Sequence, residues 1–228
     1  MADPQPLLIV AGAGAGLGRA LLQRFQAGGF KVVGLVRSQP EPLPGAELHR
    51  IDLTDGPAAT AKLRAVMAEH GAPKVVIHNT AELVIKPFLE TDPADFERCW
   101  RSMVQTLANL AQATLPEMIQ ASGGALLVSG ATASLRGGAR FAAFASAKFA
   151  LRGLTQSLAR EHQSAGIHVA HIVLDGIIDN ARSRDLHSLN PDRMMKTEDI
   201  AEVYWQLARQ PPSTWSHEID LRPATESF

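Results

Sequence analysis

The chain has 228 residues, 46% of them hydrophobic, with 22 basic against 23 acidic side chains, which suits one sizeable core and a single domain over residues 1–228. Charge this balanced and this well mixed offers no footprint for nucleic acid or an anionic membrane, and no apolar run approaches the ~18 residues of a membrane span. The single cysteine, Cys99, cannot close an internal disulfide, so a reducing, cytoplasmic setting is expected.

The first apolar run, from Pro6 to Val10, stops at Ala11-Gly12-Ala13-Gly14-Ala15-Gly16-Leu17-Gly18 and continues as a helix-forming segment. This predicts a strand, a tight glycine turn, and a helix over Leu17–Ala27 in which Leu17, Leu21, Leu22 and Phe25 share one face. Lys31–Val36 is almost wholly apolar, as in a strand covered on both faces. Pro40, Pro42 and Pro44 stiffen the connection to a weaker third strand at 47–51, and a helix at 58–70 ends at Gly71. A fourth strand at 75–78 precedes a long helical pattern at 95–120, then a fifth strand at 125–129 and a Gly/Ala/Ser-rich loop at 130–140. The remaining pattern is a helix at 141–165, a strand at 168–174, a polar loop at 175–196, a helix at 197–210 and a short strand over Glu218–Leu221. Alternation of this kind predicts an α/β doubly wound parallel sheet of Rossmann type, with the ligand crevice at the carboxyl ends of the strands.

The glycine turn is the chemical centre of this pattern, because glycine tolerates positive φ and close ligand approach while the following helix presents free N–H groups to an anion. The spacing is not G-x-G-x-x-G: after Gly12 and Gly14 stands Leu17, and after Gly14 and Gly16 stands Arg19. The pattern G-x-x-x-G-x-G fits instead at Gly12, Gly16 and Gly18, against the plain alternative of a flexible turn without a ligand. Those glycines after a first strand resemble the coenzyme turn of the short-chain dehydrogenase/reductase family, with Ala11 where that family usually has Thr. The resemblance covers the chain from Leu7 to Arg222. It implies a seven-stranded sheet in the order 3-2-1-4-5-6-7 and a diphosphate held by Gly12, Ala15, Gly16, Leu17 and Gly18.

A carboxylate usually ends the second strand of an NAD-binding Rossmann unit, where it holds the ribose hydroxyls. Here Val36 takes that place and Arg37-Ser38 follow, a cation and a hydroxyl suited to a 2′-phosphate, so NADP(H) is favoured over NAD(H). A solvated strand-end arginine is the alternative. By the same resemblance Asp52-Leu53 would hold the adenine, although Asp52 could equally cap the next helix. The family's Asn-Asn-Ala-Gly after the fourth strand is His78-Asn79-Thr80-Ala81 here, which carries over Asn79 alone.

Family members use a Tyr-x-x-x-Lys pair on one helix face, the lysine lowering the tyrosine pKa and gripping the nicotinamide ribose. This chain reads Phe144-Ala145-Ser146-Ala147-Lys148. Lys148 is retained, while Phe144, Ala131 and Met103 occupy the positions of the family's catalytic Tyr, Ser and Asn. The chain has one tyrosine, Tyr204, in a late helix with Val203, Trp205 and Leu207 around it. Asp175 stands where the family usually has a proline beside the nicotinamide and is a candidate to pair with Lys148 or to act as acid. Thr132, Ser134, Ser146 and His78 are weaker candidates.

His162, His168 and His171 straddle a helix end and a strand, a spacing that predicts no metal site. Helices at 95–120 and 141–165 pair across a two-fold axis in the family, so a homodimer or homotetramer is implied by resemblance. Two functions follow: an NADP(H)-dependent oxidoreductase acting on a small carbonyl or alcohol with a non-standard proton donor, or a coenzyme-binding protein without turnover, serving as redox sensor or partner subunit.

Overall fold

The computed structural model describes residues 5–225. Seven parallel strands form one sheet in the order β3-β2-β1-β4-β5-β6-β7, as the alternation and the resemblance imply: β1 Leu7–Ala11, β2 Lys31–Val36, β3 Ala46–Arg50, β4 Pro73–His78, β5 Gly124–Ser129, β6 Ile167–Leu174 and β7 Glu218–Leu221. All residues of β1 and β6 are buried, because helices cover both faces. One face packs under α2 (Gly56–His70), α4 (Thr106–Gln120) and α5 (Ala142–His162), with Leu63, Leu107 and Leu151 in its core. The other packs under α1 (Leu17–Ala27) and α7 (Thr197–Ala208), where Phe25 meets Trp205 edge to face at 5.3 Å. No described helix is long and apolar enough to cross a membrane.

The long helix expected at 95–120 is broken. It begins at α3 (Pro93–Trp100), passes through a π-helical turn at Arg101–Gln105 and resumes as α4. Periodicity alone hides such a turn, since one extra residue shifts the apolar face without removing it. The loop expected at 175–196 contains a short helix, α6 (Ala181–Leu186). Its cap is Asn180, whose Oδ1 accepts from the Ser183 amide at 2.9 Å, and the six residues lack the apolar stripe that would reveal a helix. Asp52 does not cap α2: Asp55 does, accepting from the Ala58 amide at 3.0 Å.

Candidate active site

The carboxyl ends of β1, β2, β4 and β5 open onto two clefts that share Asn79, Thr80 and Ala81 in their linings. The first, about 310 Å³, is lined by Gly12, Gly14, Arg37, Ser38, Asp52 and Leu53 among others. The second, about 560 Å³, lies against Lys148, Phe144, Ala131 and the start of α6.

The glycine turn is tied down at one end and open at the other. The amides of Gly12 and Ala13 both donate to Leu35 O, at 2.9 and 3.1 Å, which folds the turn over the end of β2. Gly12 has φ +86°, and a Cβ there would lie 2.5 Å from Asn79 O; a Cβ on Gly18 would lie 2.3 Å from Gly12 O. These two glycines are demanded by close packing of the turn on β4 and on itself. Around Gly14, by contrast, a Cβ would meet nothing within 4 Å. The amides of Gly14, Ala15, Gly16, Leu17 and Gly18 donate to no acceptor among the described residues, and α1 has neither a capping side chain nor an acidic residue in its first turn. Five unspent donors at the positive end of a helix dipole fit the diphosphate of a nicotinamide coenzyme.

Beside this cradle Arg37, which lines the first cleft, is 72% exposed, and its Nη2 lies 3.4 Å from Glu82 Oε2. Asp52 Oδ1 accepts from Thr54 N at 2.9 Å and Thr54 Oγ1 at 2.8 Å; these bonds, the backbone one first, hold the carboxyl below its ordinary range. Two residues absent from the expected set also belong here. Arg19 and Ser38 share a groove flanking the turn, and Asn180 comes within 3.5 Å of where a Gly16 side chain would begin. A basic residue directly after Gly18 was the available signal for Arg19; Asn180 had none, because only the folding back of α6 brings it near.

Asn79 is committed to support. Its Nδ2 donates to Gly12 O at 3.1 Å, its Oδ1 accepts from Ser129 Oγ at 2.9 Å, and the fully buried Tyr204 hydroxyl lies 2.8 Å from Ser129 Oγ. Since Ser129 spends its proton on Asn79, Tyr204 donates to Ser129. Burial raises the Tyr204 pKa, and the phenol sits under the sheet rather than in the second cleft.

Lys148 is buried at the second cleft, donating from Nζ to Ser129 O at 2.9 Å and lying 5.8 Å from the centre of the Phe144 ring. Desolvation lowers its pKa to about 8. Phe144 and Ala131 line the same cleft, whereas Met103, on the π turn, is enclosed in the core. That turn leaves Ser102 O free to accept from the hydroxyls of Thr80 and Thr106, and both hydroxyl oxygens stand within 2.9 Å of His78 Nε2.

Asp175 does not meet Lys148. Its carboxylate accepts from Thr132 Oγ1 and lies 3.1 Å from Arg222 Nη2 and 3.7 Å from Arg136 Nη2, while its own amide donates to Leu221 O on β7. The reason is topological: β7 adds beside β6 and delivers Arg222 to the end of the strand that carries Asp175. Of the weaker candidates, Thr132 is spent on Asp175, Ser134 Oγ accepts from the Ala131 amide and Ser146 donates to Ala143 O. His168 stacks on Trp215, and His171 Nδ1 contacts Glu218 at 3.2 Å.

Burial holds His78 and His171 neutral, with pKa values pushed down to about 3 and about 4. An unfolded imidazole protonates near 6.5. Their contribution is therefore fully present above about pH 6.5 and lost as pH falls toward 4, because the unfolded state then binds protons that the native state refuses. Two such groups predict a loss of about 2.7 kcal/mol per pH unit in the middle of that window. Thermal melts between pH 7 and 5 check this, and an unfolding temperature that stays flat would reject it.

A model of the short chain dehydrogenase family matches residues 6–188. L-xylulose reductase of Mesocricetus auratus is 30% identical over 160 residues, 67% of this chain; the match spans 64% of that reductase's own length. The solved structure of a short-chain dehydrogenase from Rhodopseudomonas palustris is 33% identical, with a TM-score of 0.81 over 96% of this chain and 98% of that one. A metagenomic short-chain oxidoreductase in complex with NADP shares the fold at 24% identity and a TM-score of 0.81, over 97% and 98% of the two chains. Sequence match and sheet order agree, and the chain belongs to the short-chain dehydrogenase family of oxidoreductases.

Proposed function

We propose that the protein is an NADP(H)-dependent reductase of a small carbonyl compound in which Lys148 itself serves as proton donor. The observation that carries this reading is the pairing of an open amide cradle with a buried lysine in the adjoining cleft. A bound reduced nicotinamide supplies the hydride. The amides of Gly14 to Gly18 bind the diphosphate, Asp52 and Leu53 border the adenosine side, and Asn79 keeps the turn in place through Gly12 O.

Lys148 then has a task that a tyrosine takes elsewhere in the family. An ammonium whose pKa is near 8 is charged at neutral pH yet releases its proton readily, which suits a general acid working close to pH 7. Phe144 and Ala131 keep water away from it without competing for the substrate oxygen. The Ser129 carbonyl, accepting one of the three N–H bonds, aims the remaining two.

Support for the phosphorylated coenzyme comes from Arg37 and Ser38 at the end of β2, from Arg19 in the adjacent groove, and from Val36 in place of an acid. One guanidinium hydrogen bond to a phosphate contributes about 1.5–3 kcal/mol. Arg37→Ala is expected to weaken NADPH about 10- to 100-fold and to leave NADH unchanged. Titrating both coenzymes into both proteins tests it; equal affinity of the wild type for NADPH and NADH would count against NADP(H).

A further inference from the structure

We propose that the second cleft selects an anionic substrate, an apolar-bodied carbonyl compound carrying a carboxylate; this rests on the reading of that cleft as the seat of a reductase's carbonyl substrate. Arg136, Arg182 and Lys148 are among its lining residues, and no aspartate or glutamate is. Phe141, Phe144 and Ile85 supply apolar wall.

The two arginines are not consumed by the fold. Arg182, exposed near the start of α6, makes no hydrogen bond or ion pair among the described residues. Arg136 is 60% exposed, and the acid nearest it, Asp175, is 3.7 Å away and already held by Arg222 and Thr132. The coenzyme's diphosphate does not account for them, since backbone amides of the glycine turn serve it and both arginines line the second cleft but not the first.

Exposed guanidinium groups beside an apolar wall have a definite preference. The planar fork matches a carboxylate in bidentate fashion, and nearby apolar surface lowers the local dielectric and strengthens the attraction. A neutral analogue forgoes that bond, and a cationic one is repelled.

The test compares 4-acetylbenzoate with its methyl ester, which present the same ketone with and without the charge. In NADPH-linked assays of the wild type the acid is expected to exceed the ester in kcat/KM by about 10- to 100-fold, a charge-assisted hydrogen bond's contribution. That ratio should collapse toward one in the R136Q/R182Q double variant and shrink as salt rises. An ester turned over as well as the acid, or a ratio that survives the double substitution, overturns the proposal. Calorimetric titration of both compounds into the NADPH-loaded protein separates the two levels of inference. Preferential binding of the acid without turnover retains the anion site and removes the reductase reading; turnover with no preference between acid and ester does the reverse.

Discussion

Phe144→Tyr is expected to raise ketone reduction by NADPH above the rate that Lys148 supports, by up to about 10²-fold, the lower end of what a positioned general acid contributes where none stood before. The ring already lies in the second cleft with its centre 5.8 Å from Lys148 Nζ, so a para hydroxyl would extend from an existing wall and acquire the lysine as electrostatic partner. Under the proposed reading the wild-type acid is Lys148, and its protonated form is lost as pH rises through about 8. Wild-type reduction should therefore fall above pH 8, and Lys148→Met should abolish it. Steady-state rates from pH 6 to 10 on the three proteins decide between the family's two possible uses of such a site. A wild type that binds NADPH but shows activity only after Phe144→Tyr is a coenzyme-binding protein without turnover, and Lys148 as donor is then wrong.

Gly12→Ala should reduce NADPH affinity by at least about 100-fold and lower stability by about 2–4 kcal/mol, combining left-handed backbone strain with overpacking. The new methyl would have to occupy a position 2.5 Å from Asn79 O and 2.7 Å from Asn79 C, at φ +86°. Relief requires the turn to lift from β4, which breaks the Asn79 hydrogen bond to Gly12 O and disperses the amides that face the diphosphate. Gly14→Ala is the matched control. Its methyl meets nothing within 4 Å, so melting temperature should stay at the wild-type value. Denaturant melts and coenzyme titration read both variants, and unaltered NADPH binding by Gly12→Ala would contradict the cradle.

Much of this architecture was legible before any coordinates. Apolar runs at 31–36 and 75–78, the alternating strand at 168–174 and the helical patterns between the strands specify a doubly wound sheet, the apolar runs being strands buried on two faces. The spacing of Gly12, Gly16 and Gly18 drew attention to the turn, and the single tyrosine, outside the Phe144-x-x-x-Lys148 segment, led to the expectation of a non-standard proton donor. Met103 was expected at the place of the family's Asn, and the π turn that buries it had no signal in the sequence.

The tertiary structure alone decided where the polar side chains spend their bonds. Asp175 was one candidate to pair with Lys148 or to act as acid; β7 pairing beside β6 brings Arg222 to it instead. Asn79 had the residue type of a ligand contact, yet neighbours from β5 and the glycine turn engage both ends of its amide. Lys148 owes its pKa near 8 to enclosure, a property of the packed site rather than of lysine. Hydrophobic periodicity encodes which face of an element is buried, and that is local. Hydrogen-bond partners and desolvation depend on which strand ends become neighbours, and only the crossing connections of the folded sheet determine that.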